Sequence, residues 1–72
     1  MFNGDNLRSL RQSQGLTRAG VSQRSGISTS TLARFESTMS VPSIETLIKL
    51  SNCMGLPFEK LLRTTGILHS RK

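Results

Sequence analysis

Three observations predict an all-α fold, a compact bundle of five short helices. No stretch alternates apolar and polar residues over the length of a strand. Glycine, proline or a capping hydroxyl residue punctuates the chain at Gly15, Gly26, Ser28, Pro42, Ser43, Gly55 and Pro57. Between these marks apolar residues recur three or four apart, as one face of a helix requires.

Each helix follows from its own signals. The first spans about Asp5 to Gln14, with Asn3 or Asp5 as its cap, Leu7 and Leu10 as its apolar stripe and Gly15 as its stop. The second runs from Thr17, a good N-cap, to Ser25, turns Val21 inward and ends at Gly26. Gly20 inside it costs about 1 kcal/mol relative to alanine. Ser28 caps the third, Thr29 to Glu36, which buries Leu32 and Phe35. Residues 37–42 form a loop, because Pro42 disfavours a helical Val41. Ser43 caps the fourth, whose apolar face carries Ile44, Leu47, Ile48, Leu50 and Met54 up to Gly55. The fifth starts at Pro57, where a missing N–H is harmless, carries Phe58, Leu61 and Leu62, and ends between Thr64 and Gly66. Residues 1–64 make one domain and 65–72 a short C-terminal tail with Ile67 and Leu68.

Composition narrows the function. Ten Lys or Arg against four Asp or Glu give the 72-residue chain a formal net charge of +6. The chain is too short for a separate catalytic module. No catalytic set is visible: the acids are dispersed and the one histidine, His69, lies in the tail. With one cysteine and one histidine a zinc site is implausible, so no metal or cofactor is expected, and Cys53 has no partner for an internal disulfide. No apolar run could span a membrane and no signal peptide is visible, which points to a cytoplasmic protein. Seven of the ten positive residues are Arg, a side chain suited to bidentate recognition of phosphate and guanine, and five of them precede residue 37. With no Trp or Tyr to stack unpaired bases, double-stranded DNA is the expected partner.

The informative stretch is Thr17 to Glu36. Two short helices are joined by Gly26-Ile27-Ser28, and Ser22 stands four positions before the glycine. Steeply crossing helices need a small side chain at the crossing and a glycine able to take positive φ in the turn. Ile27 would plug the angle and Ser28 would cap the next helix.

From Leu7 to Leu62 the chain resembles the phage-repressor and Cro type of helix-turn-helix domain, the xenobiotic-response-element family. The residues that carry the resemblance are Leu10-Arg11, Gly15-Leu16-Thr17, Gly26-Ile27-Ser28, Ser30-Thr31-Leu32, Arg34-Phe35-Glu36, Pro42-Ser43, Thr46-Leu47, Lys49-Leu50 and Gly55. It implies a lambda-repressor-like fold in which Thr29 to Glu36 enters the major groove. Base edges would be read by Thr29, Ser30 and Arg34, with Ala33 able to touch a thymine methyl. Phosphates would be held by Arg8, Arg18, Ser28, Ser37, Ser40 and Ser43, with Arg18 standing where the family usually has glutamine. Arg11 and Glu36 would form the family's partly buried salt bridge. The family usually has glycine where this chain has Thr38, and a β-branched residue resists positive φ, so the turn after the recognition helix is expected to differ.

The expected function is transcriptional regulation through double-stranded DNA. In the family that the chain resembles, activation often relies on acidic residues of the second helix that meet RNA polymerase; here that face offers Ala19, Gln23 and Arg24 and no carboxylate, so repression is favoured. One monomer reads about four or five base pairs, so a homodimer on a two-fold-related operator is expected. Phe58, Leu62, Ile67 and Leu68 are the interface candidates, while Leu61 fills the core. A rival reading on the same fold is an antitoxin or adaptor, with a toxin or RNA polymerase as protein partner. No small-molecule ligand is expected, since no second domain is present to bind one.

Overall fold

The computed structural model describes residues 2–67. Five helices follow in order: α1 Gly4–Ser13, α2 Arg18–Ser25, α3 Thr29–Glu36, α4 Ile44–Met54 and α5 Phe58–Thr64. Their starts obey the capping rule. The side chains of Asn3, Thr17, Ser28 and Ser43 each accept a hydrogen bond from the amide three residues on, at 3.2, 3.0, 3.2 and 3.3 Å. Asn3, not Asp5, caps α1, and Pro57 precedes α5 instead of opening it.

The helices close around Leu7, Val21, Ile27, Leu32, Phe35, Leu47, Leu50, Met54 and Leu61, all buried. Phe2 joins them, although nothing periodic marks it in the sequence. Ile27 plugs the angle between α2 and α3 as expected, and Leu61 lies in the core. Two members of the expected α4 stripe do not: Ile44 is 61% exposed and Ile48 is 44% exposed. An eleven-residue helix presents its buried face through Leu47, Leu50, Ser51 and Met54, and the two isoleucines fall outside that arc.

The ends of the chain's described part are tied together. Asn3 N–H donates to the Thr65 carbonyl at 2.6 Å, and the Asn6 side-chain amide donates to the Thr64 carbonyl at 2.9 Å. Thr65 is fully buried and its hydroxyl donates to the Leu61 carbonyl at 2.8 Å. Ile67 packs half-buried on the core, as do Phe58 and Leu62. Leu68 lies outside the described residues.

Candidate nucleic-acid interface

α3 is built to show one face and bury the other. Leu32, Phe35 and Glu36 are buried, whereas Thr29, Ser30 and Arg34 are exposed and Ala33 is half-buried between them. Thr29 with Ala33, and Ser30 with Arg34, are two i,i+4 pairs, so the four side chains share one strip of helix surface. Arg34 and Arg8 are exposed and form no ion pair among the described residues. Each is therefore available to an anion approaching from outside.

The turn into α3 follows local rules. Gly26 ends α2 at φ 79°, and its N–H donates to the Ser22 carbonyl at 2.8 Å. Ser28 then accepts from the Thr31 amide and donates its own proton to Thr31 Oγ1 at 2.8 Å. This capping fixes the direction in which the first turn of α3 points.

The other end of α3 is held by charge. Arg11 meets Glu36 in a fork, Nε to Oε2 at 2.6 Å and Nη2 to Oε1 at 3.1 Å, and its Nη1 donates to the Leu16 carbonyl at 2.7 Å. The two side chains are 8% and 3% exposed. Glu36 also accepts from Arg18 Nε at 3.0 Å, a contact without a local sequence signal. Arg18 sits at the start of α2, so one carboxylate ties α1, α2 and α3 together. Arg18 is 44% exposed, so its guanidinium is shared between Glu36 and solvent.

Burial alone would raise the Glu36 carboxyl above its ordinary 4.5. The hydrogen bonds from Arg11 and Arg18, with their positive charges, outweigh burial and hold it below that value. A carboxylate that titrates lower folded than unfolded stabilises the fold above the unfolded value. That stability is lost as pH falls through the lowered one.

The turn leaving α3 corrects one expectation. Thr38 does adopt positive φ, at 64°, and completes a Schellman closure in which Met39 N–H donates to the Arg34 carbonyl at 2.9 Å and Thr38 N–H to the Phe35 carbonyl at 3.0 Å. The strain is offset by a distant contact: Thr38 Oγ1 accepts from the Gly4 amide at 3.0 Å. Gly4 stands so close to the end of α3 that a Cβ there would collide with the Phe35 and Glu36 carbonyls. Neither the Gly4 contact nor the Thr38 hydrogen bond has a signal in local sequence.

Two of the remaining phosphate candidates, Ser37 and Ser43, have partners of their own. Ser37 Oγ donates to the Arg34 carbonyl at 3.1 Å, and Ser43 Oγ caps α4 while bonding Thr46 Oγ1 at 3.0 Å. Ser37 and Ser43 are exposed and Ser40 half-buried in the loop that follows α3. Cys53 is half-buried in α4, 3.8 Å from the Val21 carbonyl; burial pushes its thiol above the ordinary 9.0, against a smaller opposite effect of Arg24. It stays a neutral thiol at physiological pH.

Among the described residues there is no group of His, Cys, Asp or Glu able to hold a metal ion, and no helix is long and apolar enough to cross a membrane.

Known proteins share this fold. The restriction-modification controller protein C.AhdI from Aeromonas hydrophila superposes with a TM-score of 0.76 at 26% identity, over 81% of this chain and 88% of that one. A transcriptional regulator from Listeria innocua superposes with a TM-score of 0.71, also at 26% identity, over 96% of this chain and 62% of that longer one. No curated protein matches by sequence. The helix-turn-helix family model matches residues 7–61, a span that holds the whole of α2, α3 and α4 and the paired residues Arg11, Arg18 and Glu36. The chain belongs to the Cro/C1-type helix-turn-helix family of DNA-binding regulators.

Proposed function

We propose that the chain is a sequence-specific repressor that occupies a two-fold-related operator in double-stranded DNA as a homodimer, with α3 in the major groove. The observation that carries this reading is the strip formed by Thr29, Ser30, Ala33 and Arg34 on a helix whose opposite face is locked into the core. Arg34 is suited to bond guanine O6 and N7 together, and Thr29 and Ser30 are short donors and acceptors at the deepest part of the helix. Arg8, Arg18, Ser28, Ser37, Ser40 and Ser43 hold phosphates around it. Arg18 keeps Nε on Glu36 and turns its outer edge to the backbone, so Glu36 orients that grip. Repression follows from the exposed face of α2, where Ala19, Gln23 and Arg24 present no carboxylate.

Selection of bound fragments from random duplex DNA, followed by titration at several salt concentrations, tests this. Affinity falls with salt at a log–log slope of about −0.9 per phosphate held. Arg34→Ala loses about 1–3 kcal/mol and relaxes preference at one base pair, whereas Arg18→Ala weakens all sequences alike and flattens the slope by about one phosphate. Binding that ignores salt, or an Arg34→Ala protein with unchanged sequence preference, overturns the reading.

A further inference from the structure

α2 packs against α4, and a cleft of about 370 Å³ opens between the last turn of α2 and the later turns of α4. Arg24 and Ser25 line one side, Lys49, Asn52 and Cys53 the other, and among the described residues no acid lines it. We propose that this cleft binds the terminal phosphate of a small phosphate monoester, held by the Arg24 guanidinium and the Lys49 ammonium with the Asn52 amide as a further donor. The DNA reading gives none of these residues a contact, so the two stand or fall separately. The cleft also lies within the DNA-binding unit itself, so a ligand needs no second domain to hold it.

Unsatisfied donors select the ligand. Arg24, Lys49 and Asn52 are exposed, and their side chains form no hydrogen bond or ion pair among the described residues. Glu45, one turn before Lys49, does not pair with it. Ser25 differs: its hydroxyl donates to the Val21 carbonyl at 2.7 Å and accepts from the Ile27 amide at 3.1 Å, so it shapes the wall and has no proton to offer. Burial raises the Cys53 thiol and the charge of Arg24 opposes that rise, so the field of the guanidinium reaches the far wall. Arginine offers a planar fork to two oxygens and lysine a point charge to a third. A phosphate monoester has three terminal oxygens and about −1.5 to −2 charges at pH 7, whereas a carboxylate has two oxygens and a single charge. The volume lies near the lower end of the roughly 300–1,000 Å³ of small-molecule sites, which suits a compact ester. Position separates the cleft from the DNA grip. α2 carries a cation at each end, Arg18 at its start on Glu36 and Arg24 in its last turn, about 9 Å further along the axis.

Heteronuclear NMR titration of the full chain, without DNA and at constant ionic strength, tests the site with glycerol phosphate as the monoester and dimethyl phosphate as the diester. The monoester gives saturable shifts centred on the amides of Arg24, Ser25, Lys49, Asn52 and Cys53. The diester, which has lost a charge and a terminal oxygen, binds at least about tenfold more weakly. Arg24→Ala and Lys49→Ala each raise the monoester dissociation constant at least about tenfold, the loss of one charge-assisted bond. Arg24→Lys recovers only part of the affinity, because the fork is gone. All three substitutions are at exposed positions, and the dispersion of each spectrum reports that the fold is kept. Shifts that never saturate, or that spread over every arginine alike, mark a diffuse counterion atmosphere and overturn the proposal. A diester bound as tightly as the monoester overturns it too. Titration of duplex DNA separates the sources of phosphate: Arg24→Ala and Lys49→Ala keep most of the parent's DNA affinity. A loss as large as that of Arg18→Ala would assign the cleft to the DNA backbone and overturn the proposal. Monoester binding by a chain that binds no DNA upholds the cleft and overturns the DNA reading alone.

Discussion

Gly26 in the turn entering α3 and Thr38 in the turn leaving it both hold left-handed backbone, at φ 79° and 64°. The first does so by local means. Glycine has no Cβ to clash, Ser28 caps the next helix, and every bond involved spans four residues or fewer. The second depends on the rest of the molecule. Thr38 is held by Gly4 from 34 positions away, and the last residue of α3 is gripped by Arg11 and Arg18 from 25 and 18 positions away. One end of the DNA-facing helix is aimed by its own sequence, and the other is clamped by the two helices before it.

If the clamp is tertiary, removing its strongest member has the largest effect. Arg11→Ala leaves a carboxylate that is 3% exposed with one cation, which also faces solvent, and frees the Leu16 carbonyl. The expected loss is about 3–5 kcal/mol, the scale for breaking one partner of a buried pair. For a domain this size that is most of its stability. Urea unfolding followed by circular dichroism measures it. A loss below about 1 kcal/mol would place the pair with solvated surface bridges and the clamp would then be ornamental.

The turn into α3 breaks more gently. Gly26→Ala meets open space, so its penalty is conformational alone. A left-handed backbone costs an ordinary residue about 1–2 kcal/mol, and the same unfolding measurement should return that amount with an unchanged m-value. A larger loss would mean that the turn is also crowded, contrary to the space around it.

The same contrast decides what is legible in the sequence. The helix order, four of the five caps and stops and the plug at Ile27 all rest on periodicities and capping rules that act over four residues. The strip on α3 and the Arg11–Glu36 pair come through the resemblance to a family, not from spacing. The sharing of Glu36 with Arg18, the burial of Phe2 and Thr65 and the approach of Gly4 to α3 are contacts between distant segments. Local pattern carries no record of them. α4 misled for a related reason: five apolar residues looked like one stripe, but its partners α2 and α5 cover only part of that arc and leave Ile44 and Ile48 outside. Thr38 misled because propensity argues against positive φ, and one tertiary hydrogen bond reverses that preference.

Thr38→Gly carries the comparison to its smallest effect, because it gives the outgoing turn the residue that the incoming turn already has. Glycine removes the strain of a β-branched residue at positive φ, about 1–3 kcal/mol. It also deletes the hydroxyl that accepts from the Gly4 amide, exposing a donor whose hydrogen bond is worth about 1 kcal/mol net and more if the amide stays dry. Extra freedom in the unfolded chain opposes folding by a further 0.4–1 kcal/mol or about that. These terms nearly cancel, so stability should stay within about 1 kcal/mol of the parent. Hydrogen exchange at the Gly4 amide distinguishes cancellation from indifference. Faster exchange at Gly4 with little change in global stability shows that local strain and a distant hydrogen bond were balanced in the parent. Unchanged exchange would mean that Thr38 holds its turn without help from α1, and the two ends of α3 would then differ less than their geometry indicates.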